Sequence, residues 1–173
     1  MSGKGTPATK AAAAAGVVHT IHEYEHDPAA ASFGTEAAAA LGIEPDRVHK
    51  TLLAVVERAG LSELVVAVVP VDAQLDFKAL AAALGAKKAD MANPADAERT
   101  TGYVVGGIGP LGQRKRLVTV IDADATQHAT MFVSAGRRGL EIELAATDLA
   151  SLTGATFAPI ATRAEKPGDC PDE

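Results

Sequence analysis

The sequence predicts an α+β domain built on a mixed sheet, and three observations carry that prediction. Helical and strand-like segments are interleaved along 173 residues. Several apolar, β-branched runs follow one another with no helix between them, and the first pair is joined by a turn at Ala59-Gly60. Interleaving alone would suit a doubly wound parallel sheet, but successive strands without a crossover helix call for antiparallel neighbours as well.

Each element has a local reason. Thr6-Pro7 followed by an Ala-rich run to Gly16 supplies an N-cap, a proline at the first helical position and a glycine past the end, which predicts a helix. Val17 to His26 reads as a strand, and Thr35 to Leu41, closed by Gly42, as a helix. Lys50–Val56 and Leu64–Val69 are apolar and rich in β-formers, a hairpin across Ala59-Gly60. Asp76 caps a helix to Leu84 that Gly85 stops, and a short strand follows at Ala86–Met91. Asn93-Pro94 opens a helix ending by Gly102. Strands are expected at Tyr103–Ile108, Leu117–Ile121, Thr130–Ser134 and Leu140–Leu144. Thr147 is expected to cap a last helix, Asp148–Leu152, and Phe157–Ile160 to form the final strand. The chain divides into a disordered N-terminal tail (residues 1–5), one domain (6–162) and a disordered acidic tail (163–173), with no repeat and no linker.

Composition narrows the function classes. Hydrophobic residues make up 47% and aromatics 3%, so the chain is globular with an aliphatic core. No stretch is long and apolar enough to cross a bilayer, and the N-terminus lacks a signal-peptide hydrophobic region, which points to the cytoplasm and to no membrane partner. The net charge of −6 argues against a protein that grips DNA or bulk RNA by itself, although Lys87-Lys88, Arg114-Lys115-Arg116 and Arg137-Arg138 are local basic clusters. The one cysteine, Cys170, lies in the acidic tail, where nothing would stabilise a thiolate.

Thr100 to Arg116 is the most distinctive segment. It holds Gly102, Gly106, Gly107, Gly109 and Gly112 between two apolar runs and ends on three basic residues. It reads either as a tight strand connection with a solvated basic rim or as a loop that brings backbone N–H groups close to a ligand. Gly107-Ile-Gly109-Pro-Leu-Gly112 has the letters of a dinucleotide fingerprint, but a strand, Leu117–Ile121, follows it rather than a helix N-terminus, so no nicotinamide or flavin is expected there. His22 and His26 are four apart, but in an extended segment that spacing covers roughly 13 Å, too far for one ion. His128 is isolated and reads as surface. No metal and no cofactor are expected. Lys50 starts an apolar strand, where it is either a solvated edge lysine or a point charge at the mouth of a cleft. Ser134 stands at a strand end without the Gly-x-Ser-x-Gly elbow of a serine hydrolase.

Seven blocks, taken in order, bear on these choices: Glu23-Tyr24-Glu25-His26-Asp27-Pro28; Phe33-Gly34; Val48-His49-Lys50-Thr51-Leu52-Leu53; Gln74-Leu75-Asp76; Ala83-Leu84-Gly85-Ala86-Lys87-Lys88; Thr101 to Ile108; and Gly136 to Leu144. In order and spacing they closely resemble the YbaK-type Cys-tRNA(Pro) deacylases of the YbaK/prolyl-tRNA-synthetase-associated editing domain superfamily, over Thr6 to Ala161. The resemblance implies a large, strongly curved mixed sheet with surrounding helices. It implies removal of cysteine mischarged onto the acceptor end of the proline tRNA, in partnership with prolyl-tRNA synthetase. It makes Lys50 the essential lysine and places Tyr24, Phe33, Thr51, Gly106, Ser134 and Glu141 at pocket positions; the N–H groups of Gly106 and Gly107 are the candidate oxyanion donors. In the family reaction the substrate's own thiol attacks its ester carbonyl, so no protein nucleophile is needed. A water-dependent Ala-tRNA(Pro) hydrolase and a non-catalytic tRNA- or synthetase-binding module are the alternatives. The chain departs from the family at Gly109, where Ser is common and Gly should loosen the loop, at Ala135, where Gly is usual, and at Glu141, where Asp is usual and the carboxylate arm is longer.

Overall fold

The computed structural model describes residues 5–29 and 33–163, with the backbone alone at Phe33. The order is α1 (Pro7–Ala15), β1 (His19–Glu23), α2 (Phe33–Leu41), β2 (His49–Arg58), β3 (Leu61–Pro70), β4 (Gln74–Leu75), α3 (Phe77–Ala83), β5 (Lys88–Met91), α4 (Pro94–Thr101), β6 (Val118–Asp122), β7 (Met131–Arg137), β8 (Leu140–Leu144), α5 (Ala146–Thr153), β9 (Thr156–Ala158) and β10 (Ala161–Thr162). Short 3₁₀ turns precede β2 and follow β6. The α+β class is as expected. The strands form a five-stranded mixed sheet in the order β5-β2-β3-β6-β9, a three-stranded antiparallel sheet β1-β8-β7 and a small β10-β4 pair.

The β2–β3 hairpin is the spine. It is paired along its whole length, from His49 opposite Pro70 to Arg58 opposite Leu61, and Ala59 and Gly60 turn it with positive φ. Residues 65–70 of β3 are all buried because both faces are covered. Val66 and Val68 face a core shared with β7 and β8, and Val65, Ala67 and Val69 face a second core under α3. A strand covered on both sides reads as a continuous apolar run rather than an alternating one. The two sheets meet at one parallel bridge, Val48 to Phe132. Beyond it β2 continues in one sheet and β7 in the other.

Local signals hold where the chain closes its own hydrogen bonds. Thr6 forms a capping box with Thr9, Asp76 and Asn93 accept from the first turns of α3 and α4, and Gly16 and Gly102 end their helices in the left-handed region. Four expectations are corrected. Tyr103–Ile108 is not a strand: Val104 to Gly107 is a turn closed by the Gly107 N–H to the Val104 carbonyl (2.9 Å), with Gly106 at φ +91°. Tyr103 is buried, its hydroxyl donating to the Leu111 carbonyl at 2.7 Å, while Val104 and Val105 stay exposed. Thr147 does not cap α5; the helix begins at Ala146, because burial of Ala146 and Leu149 fixes its start. Strand β1 is shorter than Val17–His26, since residues past Glu23 leave the β8 edge. The last strand divides at Pro159 into β9, parallel to β6, and β10, antiparallel to β4. The expectations for residues 1–4, for residues 164–173 and for Cys170 lie outside the described residues; Arg163, at their border, pairs with Asp124 (2.9 Å) and Asp72 (3.3 Å).

Candidate functional site

A cavity of about 440 Å³ opens where the two sheets part. Strand β2 supplies His49, Lys50, Thr51, Leu52 and Leu53; β7 supplies Ser134; β8 supplies Glu141; and Tyr24 enters from the end of β1. Val105, Gly106 and Ile108 of the glycine loop close one side, and Met91, Ala92, Pro94 and Ala97, from the β5–α4 junction, close another. Six of the expected site residues, Tyr24, Lys50, Thr51, Gly106, Ser134 and Glu141, therefore share one cavity. Gly34 also lines it, but the expectation for the Phe33 side chain lies outside the described residues. Gly107 does not line it, and its N–H is bonded to Val104, so that donor role is withdrawn from Gly107. The Gly106 N–H has no acceptor among the described residues.

The loop is fitted to β7 rather than loose. Ser134 Oγ donates to the Gly107 carbonyl (3.1 Å) and accepts from the Gly136 N–H (3.2 Å). A Cβ on Gly107 would sit 2.9 Å from Arg137 Cα, and one on Gly109 would collide with the Ser134 carbonyl. The expectation that Gly109 loosens the loop is thus overturned: the missing side chain is what lets the loop lie against the strand. Arg138 donates to the Val105 carbonyl at 2.8 Å, so one residue of the Arg137-Arg138 cluster braces the turn.

The cavity's charges are few and sharply placed. Among the described residues that line it, Lys50 is the only cationic side chain and Glu141 the only carboxylate. Desolvation pulls the Lys50 ammonium below the ordinary lysine range, against the attraction of Asp72. Glu141 is 7% exposed, its Oε2 has no hydrogen-bond partner among the described residues, and burial pushes its pKa up to about 8. Tyr24 is raised first by burial and then by the Glu141 charge. His49 donates from Nδ1 to the Arg47 carbonyl (3.1 Å), and burial brings it down to about 4, so it is a neutral ring whose Nε2 has no partner among the described residues. Thr51 Oγ1 is a third buried polar atom without one. Such atoms cost about 1–3 kcal/mol each when unmet, which is a reason to expect a polar ligand.

Of the other histidines, His19 bonds to the Val17 carbonyl (2.8 Å) and three face carboxylates. His22 pairs with Glu143 and His26 with Glu36, each at 2.9 Å. His128 is not an isolated surface residue: it is mostly buried and 3.6 Å from Asp46. Sequence reasoning missed the walls made by Met91, Pro94 and Ala97, whose apolar character gives no sign that they border a cavity rather than fill a core.

The model of the aminoacyl-tRNA editing domain matches residues 27–152. The chain is 45% identical over 126 residues to a protein of Enterococcus faecalis provisionally named as the Cys-tRNA(Pro)/Cys-tRNA(Cys) deacylase EbsC, a match covering 73% of this chain and 75% of that one. It is 34% identical over 73 residues to the multifunctional Ser/Thr-tRNA deacylase ProXp-y of Escherichia coli, covering 42% of this chain and 44% of that one. In fold it is similar to the crystal structure of a provisionally assigned trans-editing enzyme for prolyl-tRNA synthetase, with TM-score 0.79 and 23% identity over 94% of this chain and 99% of the other.

Proposed function

The chain belongs to the aminoacyl-tRNA editing domain family, and on that premise we propose that it is a trans-acting deacylase that clears cysteine mischarged onto the proline tRNA. The observation that carries the proposal is the convergence of Lys50, Thr51, Gly106, Ser134 and Glu141 on one cavity whose lining, among the described residues, holds a single cation and a single carboxylate. An aminoacyl ester is complementary to that pair. Its α-ammonium meets Glu141, and the negative charge that develops on the carbonyl oxygen meets Lys50.

The chemistry then needs no protein nucleophile. Ser134 Oγ is engaged by Gly107 and Gly136, and no histidine ring among the described residues bonds to it. The substrate thiolate attacks its own ester carbonyl; a C–S bond forms, the C–O bond to the ribose breaks, and the thiol proton ends on the ribose oxygen. The products are a cyclic thioester and free tRNA. Intramolecular positioning is worth roughly 7–11 kcal/mol in favourable cases, and a well-aimed donor such as the Gly106 N–H about 2.7–4 kcal/mol. A second, editing step suits this discrimination, because a proline-sized pocket rejects so small a side chain by only about 1–3 kcal/mol. We further propose that prolyl-tRNA synthetase delivers the tRNA and that the protein works in the cytoplasm.

The test is deacylation of proline tRNA charged with Cys, Ser, Ala or Pro. Cys should be cleared and Ser slowed by orders of magnitude, because a neutral hydroxyl is a far weaker nucleophile than a thiolate. Lys50→Ala should stay folded, since the Lys50 side chain is partly exposed at the strand's mouth and belongs to no core cluster, and should lose turnover. Equal clearance of Ala and Ser would indicate an enzyme-positioned water; a folded, fully active Lys50→Ala would overturn the assignment of the site.

A further inference from the structure

The wall formed by β2 is an open strand edge. Along that strand even-numbered residues bond to β3, as the Val71 N–H to Val48 carbonyl contact (2.8 Å) shows. Odd-numbered residues turn their N–H and C=O the other way, as Glu57 and Leu53 do in accepting from Lys87 (2.8 Å) and Ala92 (3.0 Å). Strand β5 covers that second edge only from Ala54 to Glu57. It stops because Ala92 is followed by Asn93-Pro94, which opens α4. The N–H and C=O of Thr51 and the N–H of Leu53 are thus left facing the cavity, without a partner among the described residues. Open edges are usually protected from other chains; this one is enclosed in a pocket.

Resting on the deacylase reading, we propose that the aminoacyl group binds as a one-residue strand added to β2 opposite Thr51. An α-aminoacyl ester carries the donor and acceptor of a peptide residue: its ammonium donates to the Thr51 carbonyl, and its ester carbonyl accepts from the Thr51 N–H. This is the exchange made by a hydrogen-bonded antiparallel pair. Two consequences follow. The Thr51 N–H becomes a donor to the oxyanion, acting with the Gly106 N–H. Residues directly opposite in such a pair put their side chains on the same face, so the substrate side chain lies beside Thr51 Oγ1, the buried hydroxyl that has no partner among the described residues. Thr51 therefore reads both the main chain and the side chain of the substrate.

The probe is adenosine carrying cysteine through a 3′-amide, which the enzyme cannot cleave, titrated into the ¹⁵N-labelled full chain. On saturation the Thr51 and Leu53 amides should shift, and exchange of the Thr51 amide should slow about tenfold or more, while the Lys50 and Leu52 amides, already bonded to β3, change little. Replacing Thr51 by its α-hydroxy analogue removes that N–H, and also weakens the Lys50 carbonyl as an acceptor toward β3; it should lower kcat about 10²-fold with little change in KM. Saturable binding with an unaltered Thr51 amide would overturn the added-strand geometry and leave the deacylase reading standing. No binding at all would overturn both.

Discussion

At the scale of single residues, Glu141 is the one whose solution behaviour the structure predicts most sharply. Its carboxyl keeps its proton to about pH 8 in the fold, against an ordinary value of 4.5, because burial penalises the charge. Between those values the folded state binds more protons than the unfolded one, so stability falls as pH rises through that window. Glu141→Gln removes the linkage. The two proteins should melt alike near pH 4.5, and the variant should gain steadily, at about 1.4 kcal/mol per pH unit at most, until the difference levels off near pH 8. Melting curves from pH 4.5 to 8.5 check this; parallel pH profiles would show that Glu141 ionises normally in the empty cavity. The same variant should bind the aminoacyl ammonium less well, since an amide, unlike the carboxyl, cannot give up a proton to meet it with a charge.

At the scale of elements, the glycine loop and β7 behave as one unit. Gly107 and Gly109 admit the loop to within contact of the Arg137 and Ser134 backbones, and Gly112 does the same against Pro7 of α1. Thr6 Oγ1 ties the start of α1 to the Ala135 carbonyl at 2.5 Å, so α1, loop and strand brace one another. Gly109→Ala should cost about 1–3 kcal/mol by overpacking and lower turnover, because the displaced loop carries Gly106. Gly5→Ala, whose Cβ would meet nothing, is the control. Urea denaturation of both variants decides the matter, and an unchanged midpoint for Gly109→Ala would show that the loop is pliable after all.

At the scale of the molecule, charge sets the terms of tRNA recognition. With a net charge of −6, the chain has only local basic patches to offer a polyanion. Binding to isolated tRNA should be weak and fall steeply with salt, because each phosphate contact releases counterions, and added prolyl-tRNA synthetase should strengthen it. Filter binding at 50 and 200 mM salt, with and without the synthetase, tests this; tight, salt-insensitive binding to tRNA alone would contradict it.

The sequence by itself determined the class of the fold, most helices, the β2–β3 hairpin and the blocks that carry the family. Those are local matters. Thr6, Asp76 and Asn93 satisfy N–H groups two or three residues away, and Gly16, Gly60 and Gly102 supply positive φ where the chain turns. The two-residue ladders β4 and β10 escaped notice because each exists only through its distant partner. Thr147 misled because burial of Ala146 outweighed a capping preference, and Val104-Val105 because β-branching cannot tell a paired strand from an exposed turn. Only the tertiary structure decided that Lys50, Ser134 and Glu141 face one space, that Gly109 is a point of close contact, and that β2 has a free edge at Thr51. Each depends on groups brought together from distant parts of the chain, and the cavity exists because two sheets joined at Val48 and Phe132 separate beyond that bridge.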